Sequence, residues 1–393
     1  RMMNWWLDKG IAGFRIDAII NIKKPLPFRD YPADREDGLC DMGTVLEDAK
    51  GIMEFLDEMR DQTFAPHDAF SVGEVFNDRK EELPDYIGDE GCFSSIFDFS
   101  QTVEGKSPLG WYACKRPDPD AYKRCCFESQ KRAQGVGFFS NIIENHDEPR
   151  GVSYYLPDYA RNTKGKKLLA AVYFMLKGLP FIYQGQEIGM ENMEFSSIEE
   201  LDDVNSRFEY QVCLDAGLDE REAMKVISQY SRDNSRTPFQ WNDSANGGFT
   251  TGNPWLVVNP NYREINAAAQ EHDPDSLLSF YKQLIRLRKN PQWKDTVIYG
   301  ETLPLLQEMS GLMAYLRRGE KQEILVLGNF HSQEMSVSLK SLGKEGISGE
   351  ALKEAVREGR VLLNNCETLS LEGENLRLQP LQAAVIGIMH KNS

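Results

Sequence analysis

From residue 1 to about 294 the chain repeats one pattern, a short apolar run that ends in polar residues followed by a longer amphipathic stretch. Such runs stand at 11–16, 69–72, 94–97, 137–142 and 179–183. Helical patterns lie between them near 44–62, 120–132 and 164–177, and a Leu- and Arg-rich helix follows near 275–290. Parallel strands impose this alternation: neighbours must be joined by a crossover of a dozen or more residues, and strands covered on both faces read as unbroken apolar runs. Strands with polar C-terminal ends suit a (β/α)8 TIM barrel, whose active site gathers at those ends. The expected fold is therefore α/β, a barrel lacking its first strands and containing strands 4–8.

The stretch at about 184–274 is too long for an ordinary loop, and its charged helical patches predict an inserted helical subdomain. From 295 to 393 the pattern becomes short alternating segments, such as 324–329, 335–339 and 383–389, which predict a C-terminal antiparallel, sandwich-like β domain. The first residues, Arg1 onward, read like the middle of a helix and carry no leader pattern. An isolated partial barrel exposes sheet edges and apolar faces, so the 393-residue chain alone is expected to be unstable or inactive.

Charge and composition narrow the partners. With 61 acidic against 45 basic residues the net charge is −16, which disfavours nucleic acid and anionic membranes and suits a neutral small molecule. No apolar run approaches the roughly 20 residues that span a bilayer. The seven cysteines are an odd set without paired spacing, which points to a reducing cytoplasm rather than a disulfide framework. The five histidines are scattered and no Cys-x-x-Cys pair occurs, so no metal site is expected. The oligomeric state is left open.

Three strand ends carry candidate chemistry. In GFRIDAI, alternation sets Phe14 and Ile16 on one side of the strand and Arg15 and Asp17 on the other. Taken alone, a strand-end Asp more often caps a helix or pairs with a neighbouring arginine than attacks a substrate. FSVGEVF delivers Glu74 behind Gly73, which leaves room for close approach of a ligand or backbone. A carboxyl among Val72, Val75 and Phe76 is partly desolvated, as a general acid working near neutral pH needs to be; the plainer alternative is an exposed Glu opening a loop. FFSNIIENHDEPR ends in Glu144, Asn145, His146, Asp147, Glu148 and Arg150, a cluster with no evident folding purpose. His146 alone would read as a hydrogen-bonded loop histidine, but beside Asp147 at a barrel strand end it reads as functional. Two carboxylates flanking a glycosidic bond are the minimum machinery for its hydrolysis. Phe139 and Trp241 resemble sugar platforms in type, but Phe139 sits in a strand and reads as core; neither is counted as a site residue.

GFRIDAI, GEVF, ENHDEPR, IYQGQEIGM and SRDNSRTPFQW resemble, in order, the signature segments of the α-amylase family, glycoside hydrolase family 13. They look most similar to its branch of oligo-1,6-glucosidases, α-glucosidases, dextran glucosidases and trehalose-6-phosphate hydrolases. The resemblance implies that Asp17 attacks the anomeric carbon, Glu74 protonates the leaving oxygen and Asp147 stabilises the distorted, positively charged sugar. It makes Arg15 the cation that keeps Asp17 ionised, and His146 and Arg232 donors to the glucosyl hydroxyls. Arg236 competes with Arg232 for that role and is expected to pair with nearby acids instead. Gln186 stands where the family often has Glu.

The implied activity is that of a retaining, exo-acting α-glucosidase on a small α-glucoside, with no cofactor in this chain and a calcium loop expected only in a segment before Arg1. In similar enzymes a valine after the nucleophile goes with α-1,6 substrates, so Ala18 favours maltose and short α-1,4 oligosaccharides. Alternatives are oligo-1,6-glucosidase, trehalose-6-phosphate hydrolase or sucrose-isomerising activity, and, outside enzymes, an inactive binding subunit of the superfamily. Members of that last class lose the carboxylates that Asp17, Glu74 and Asp147 retain.

Overall fold

The computed structural model of the chain describes residues 1–34, 38–76 and 80–390. Two compact units are present, Arg1–Phe99 with Arg132–Ser140, and Ser100–Lys131 with Asn141–Ser393. All five predicted parallel strands form, as β1 (Gly13–Ile16), β2 (Phe70–Gly73), β3 (Ser95–Phe97), β4 (Phe139–Asn141) and β5 (Leu179–Pro180), ordered β1-β2-β3-β4-β5 in one sheet.

In the first unit β1 runs parallel to β2, with Gly13 opposite Phe70 and Ile16 opposite Gly73. Gly13 is required there, because a Cβ would lie 1.8 Å from the Phe70 carbonyl oxygen. Ile19, Leu56, Phe64, Val75, Phe93, Ile96 and Phe139 close the core behind the sheet. The helix expected at 44–62 is two helices, Met42–Glu47 and Ile52–Met59. Gly51, at φ 87°, breaks them apart in the left-handed region that glycine enters without a Cβ penalty. On the first helix, Met2–Asp8, Trp5 and Trp6 are exposed.

In the second unit the carbonyl of Asn141, the last residue of β4, accepts from the Phe181 N–H at 2.9 Å beside β5. The helix Thr163–Phe174 starts on an Asn162 cap and is buried along nearly its whole length. It packs with Leu277–Arg288 into a core that includes Phe280, Leu284 and Trp293. Helices Val204–Asp215 and Glu220–Tyr230 fall in the predicted insertion. Each has the aspartate N-cap expected of such a start: Asp203 accepts from the Ser206 N–H, and Asp219 forms a reciprocal capping box with Glu222.

After residue 295 come β6 (Glu301–Leu305), β7 (Leu312–Arg318), β8 (Gln322–Asn329), β9 (Met335–Ser338), β10 (Val361–Asn364), β11 (Ser370–Glu372), β12 (Asn375–Leu378) and β13 (Ala383–Met389). They make two antiparallel sheets, β10-β13-β8-β7-β6 and β11-β12-β9. The larger sheet is covered on both faces. Met313, Tyr315, Ile324 and Val326 join the helical core, while Leu312, Ala314, Leu316, Leu325 and Leu327 face a second core with Val337, Leu352 and Leu376. Double coverage explains why β7 and β13 are apolar runs rather than alternating ones. Among the described residues no helix is long and apolar enough to cross a membrane, and none of the seven cysteines is in a disulfide.

Candidate active site

The first unit carries Arg15, Asp17, Ala18 and Glu74. Pairing of β1 with β2 brings their C-terminal ends level, and the backbone continues the ladder beyond them: the Glu74 N–H donates to Ile16 O at 2.9 Å and the Ile19 N–H to Glu74 O at 3.1 Å. Arg15 then bridges the two carboxylates, one terminal nitrogen on Asp17 and the other on Glu74. The two acids differ sharply in setting, for the Asp17 side chain is 73% exposed and that of Glu74 only 6%. Glu74 is thus desolvated, as expected, but its oxygens are occupied: Oε1 by Arg15 and Oε2 by the Ala18 N–H at 3.0 Å.

Ala18 makes that bond from φ 43°, ψ 48°, the left-handed region, where a side chain costs about 1–2 kcal/mol. The space beside Gly73 is filled from within the protein rather than left for a ligand, since a Cβ there would meet the Phe93 ring at 2.8 Å.

The loop after β4 divides into two groups. Glu144 and Arg150 form an ion pair at 3.0 Å with side chains 0% and 1% exposed. Arg150 also donates to Gln184 O at 2.7 Å and Asn234 O at 3.2 Å, and Glu144 accepts from the Gly151 N–H at 2.6 Å. This half of the polar cluster does serve folding, contrary to the sequence reading: a buried ion pair with its remaining donors satisfied ties three loops together. Burial pushes the Glu144 carboxyl up, with Arg150 and the Gly151 N–H opposing. Burial likewise raises Glu148, against its pairing with Lys106 at 3.1 Å.

The other half faces outward. Asp147 is held on three sides, by Arg232 Nη1 at 3.0 Å and Arg236 Nη2 at 2.8 Å on Oδ1, and by His146 Nε2 at 2.9 Å on Oδ2. Arg236 pairs with acids as expected, reaching Asp233 at 3.8 Å as well, and also donates to His146 O. Arg232 pairs with acids too, its Nε lying 2.6 Å from Asp203. Burial works to raise the Asp203 carboxyl, but the Ser206 hydroxyl, Arg232 and the Ser206 N–H together hold it below the ordinary value.

Asp203 is not among the sequence candidates, whereas Arg236 is weighed there against Arg232 and set aside. The signal for Asp203, an Asp immediately before a helical pattern, also reads as a simple N-cap, and only the fold adds its second role. Gln186 is settled as an internal tie: it donates to Tyr173 Oη at 2.6 Å and Tyr281 Oη at 2.8 Å and accepts from the Tyr183 N–H at 3.1 Å. Phe139 is core and Trp241 is exposed.

A cavity of about 460 Å³ is lined by Asp147 and Arg232 together with Lys106, Trp111, Glu209 and Tyr230. A larger one, about 990 Å³, is lined by Arg116, Arg161, Tyr210 and Met224 among others and contains none of the candidate residues. Chemistry rather than size therefore marks the site. Among the described residues no cluster of His, Cys, Asp and Glu could hold a metal ion.

A family model described as the α-amylase catalytic domain matches residues 1–296. Probable oligo-1,6-glucosidase 3 of Bacillus subtilis (strain 168) is 40% identical over 333 residues, covering 84% of this chain and 58% of its own length. The trehalose-6-phosphate hydrolase of the same organism is 34% identical over 388 residues, covering 98% of this chain and 65% of its own length. The crystal structure of Bacillus licheniformis trehalose-6-phosphate hydrolase superposes with a TM-score of 0.85 at 34% identity, over 99% of this chain and 67% of that one. The chain thus spans 58% to 67% of the length of these relatives.

Proposed function

The chain belongs to the α-amylase family, and from that premise we propose that it is the catalytic part of a retaining, exo-acting α-glucosidase that releases terminal glucose from short α-glucosides. The observation that carries this reading is Arg15 between Asp17 and Glu74. One planar guanidinium with a carboxylate on each terminal nitrogen draws the two acids toward the separation of about 5–5.5 Å used for retention, rather than the 6.5–9.5 Å that inversion needs for its water.

In this reading Asp17, exposed and turned to solvent, attacks the anomeric carbon while Glu74 gives its proton to the departing oxygen. The glucosyl ester on Asp17 is then opened by a water whose proton passes to Glu74. Asp147, oriented on both oxygens, supports the positive charge on the distorted ring. His146 spends Nε2 on Asp147, so any bond it makes to a sugar hydroxyl would come from Nδ1. Arg232 would present Nη2 to the sugar while Nε and Nη1 stay on its two acids. These side chains complete the reaction without a cofactor. We read residues 1–294 as the partial barrel with its insertion at 184–274 and residues 295–393 as the C-terminal domain, a division supported by the extent of the family match. Seven cysteines with no disulfide among them support a reducing compartment such as the cytoplasm.

Ala18 supports α-1,4 substrates, and relatives named oligo-1,6-glucosidase support α-1,6 ones as a second reading. Turnover of maltose, isomaltose, sucrose, trehalose 6-phosphate and an aryl α-glucoside by the full-length protein, with the first-formed anomer of glucose followed by proton NMR, tests both. Sucrose, trehalose 6-phosphate and the aryl α-glucoside have leaving groups other than glucose, so β-glucose as the first-formed anomer from any of them would defeat retention; release of no glucose from any of the substrates would defeat the hydrolase reading.

A further inference from the structure

Trp255 is 69% exposed, yet its indole is not loose, because Nε1–H donates to Asp202 Oδ2 at 2.9 Å. The next residue, Leu256, is buried and anchors the backbone behind it. Asp202 is itself fixed: its N–H and that of Asp203 both donate to Oδ2 of Asp233, at 2.8 and 2.9 Å, and Asp233 is fully buried. From Asp203 the linkage continues to Arg232 at 2.6 Å and from Arg232 to Asp147 at 3.0 Å. An exposed aromatic face is therefore held in register with a candidate catalytic carboxylate through a short series of polar bonds. Val204 and Phe208, one turn apart on the helix that Asp203 caps, are exposed as well.

Large exposed aromatics fixed by a polar handle are costly to leave in water and mark binding surfaces. A pyranose presents a face of C–H groups that stacks on an indole and a rim of hydroxyls that donate to a carboxylate, and Trp255 with Asp202 offers that pair. Resting on the glucosidase reading above, we propose that Trp255 is a specificity-determining residue that stacks on a sugar of the leaving group, beyond the glucosyl unit held near Asp147. It would contribute where the substrate is an oligosaccharide and little where the leaving group is a single small aryl ring.

The test is Trp255→Ala and Trp255→Phe in the full-length enzyme, assayed on maltotriose, isomaltotriose and an aryl α-glucoside, with melting followed in parallel. Trp255→Ala should lower the ratio of kcat/KM for the preferred trisaccharide to that for the aryl glucoside by about tenfold, mainly through KM, and Trp255→Phe should recover most of it. An unchanged ratio, whether both activities persist or both fall together, overturns the proposal. If the wild-type enzyme turns over none of these substrates, the glucosidase reading has failed separately. Trp255 is then judged by titrating each trisaccharide against its indole N–H resonance, identified by its absence in Trp255→Phe. A saturable shift sustains the stacking role, and no shift with either sugar ends it.

Discussion

The Ala18 N–H donates to the buried oxygen of Glu74 at 3.0 Å from a left-handed backbone conformation, in the position directly after Asp17. Strain of this kind persists where the surroundings over-determine it, and such places cluster at active sites. Here the turn brings the main chain back onto the second carboxylate.

Replacing Ala18 with glycine should relieve the strain and raise stability by up to about 1 kcal/mol, the left-handed cost less glycine's own entropic penalty. Ala18→Val, with a β-branched side chain in the same conformation, should lower stability by about as much and weaken the bond to Glu74. Urea unfolding midpoints of the three proteins check the order Gly, Ala, Val.

Glu74→Gln keeps the shape but cannot give up a proton. Loss of general acid catalysis should lower kcat/KM on maltose or isomaltose by about 10²–10⁴. An aryl glucoside with a good leaving group should suffer much less in its first step. Azide, which needs no general base, should restore turnover and yield a glucosyl azide of retained configuration; failure of rescue alongside an equal loss on both substrates would remove Glu74 from the acid/base role.

Arg150→Met leaves Glu144 buried without its cation and orphans several carbonyls, so stability should fall by about 3–5 kcal/mol. Pairing it with Glu144→Met should recover part of this. Burial raises the Glu144 carboxyl in the folded state, so its contribution is most favourable below the unfolded value, near 4.3, and is lost as pH rises through the folded one. The deficit of Arg150→Met should therefore be larger at pH 7 than at pH 5 in denaturant titrations.

Asp203 titrates in the opposite sense. Its folded value lies below the unfolded one, so its stabilisation is present above about 3.9 and is lost as pH falls through the lower folded value. The stability gap between wild type and Asp203→Asn should narrow below pH 4, and a gap that stays constant from pH 7 to pH 3 would contradict the pairing with Arg232.

Gln186→Leu removes the amide that joins the hydroxyls of Tyr173 and Tyr281 to the Tyr183 N–H. Leaving buried polar groups unpaired costs about 1–3 kcal/mol each. The melting temperature should drop, while KM of the remaining folded enzyme stays within about twofold, because the amide is buried away from solvent.

What the sequence determined by itself was the parallel-strand framework and the residue types at its ends. Apolar runs such as 137–142 and the period-2 placement of Arg15 and Asp17 are local properties, set by steric preference and by which side chains must leave water. The family resemblance added roles to Asp17, Glu74 and Asp147, but not their surroundings.

Tertiary structure alone decided which members of a polar cluster are scaffold and which face solvent. Glu144 and Asp147 are three residues apart with the same charge, yet one is sealed against Arg150 and the other is 36% exposed between two arginines and a histidine. The partners that separate them, Gln184 and Asn234 on Arg150 and Arg232 and Arg236 on Asp147, come from 34 to 89 residues away. No local pattern encodes such meetings, because burial and pairing depend on which distant segments the fold brings together. For the same reason Trp255 carried no local mark as a ligand platform: its exposure, and its fixation by Asp202 across 53 residues, exist only once the chain has folded.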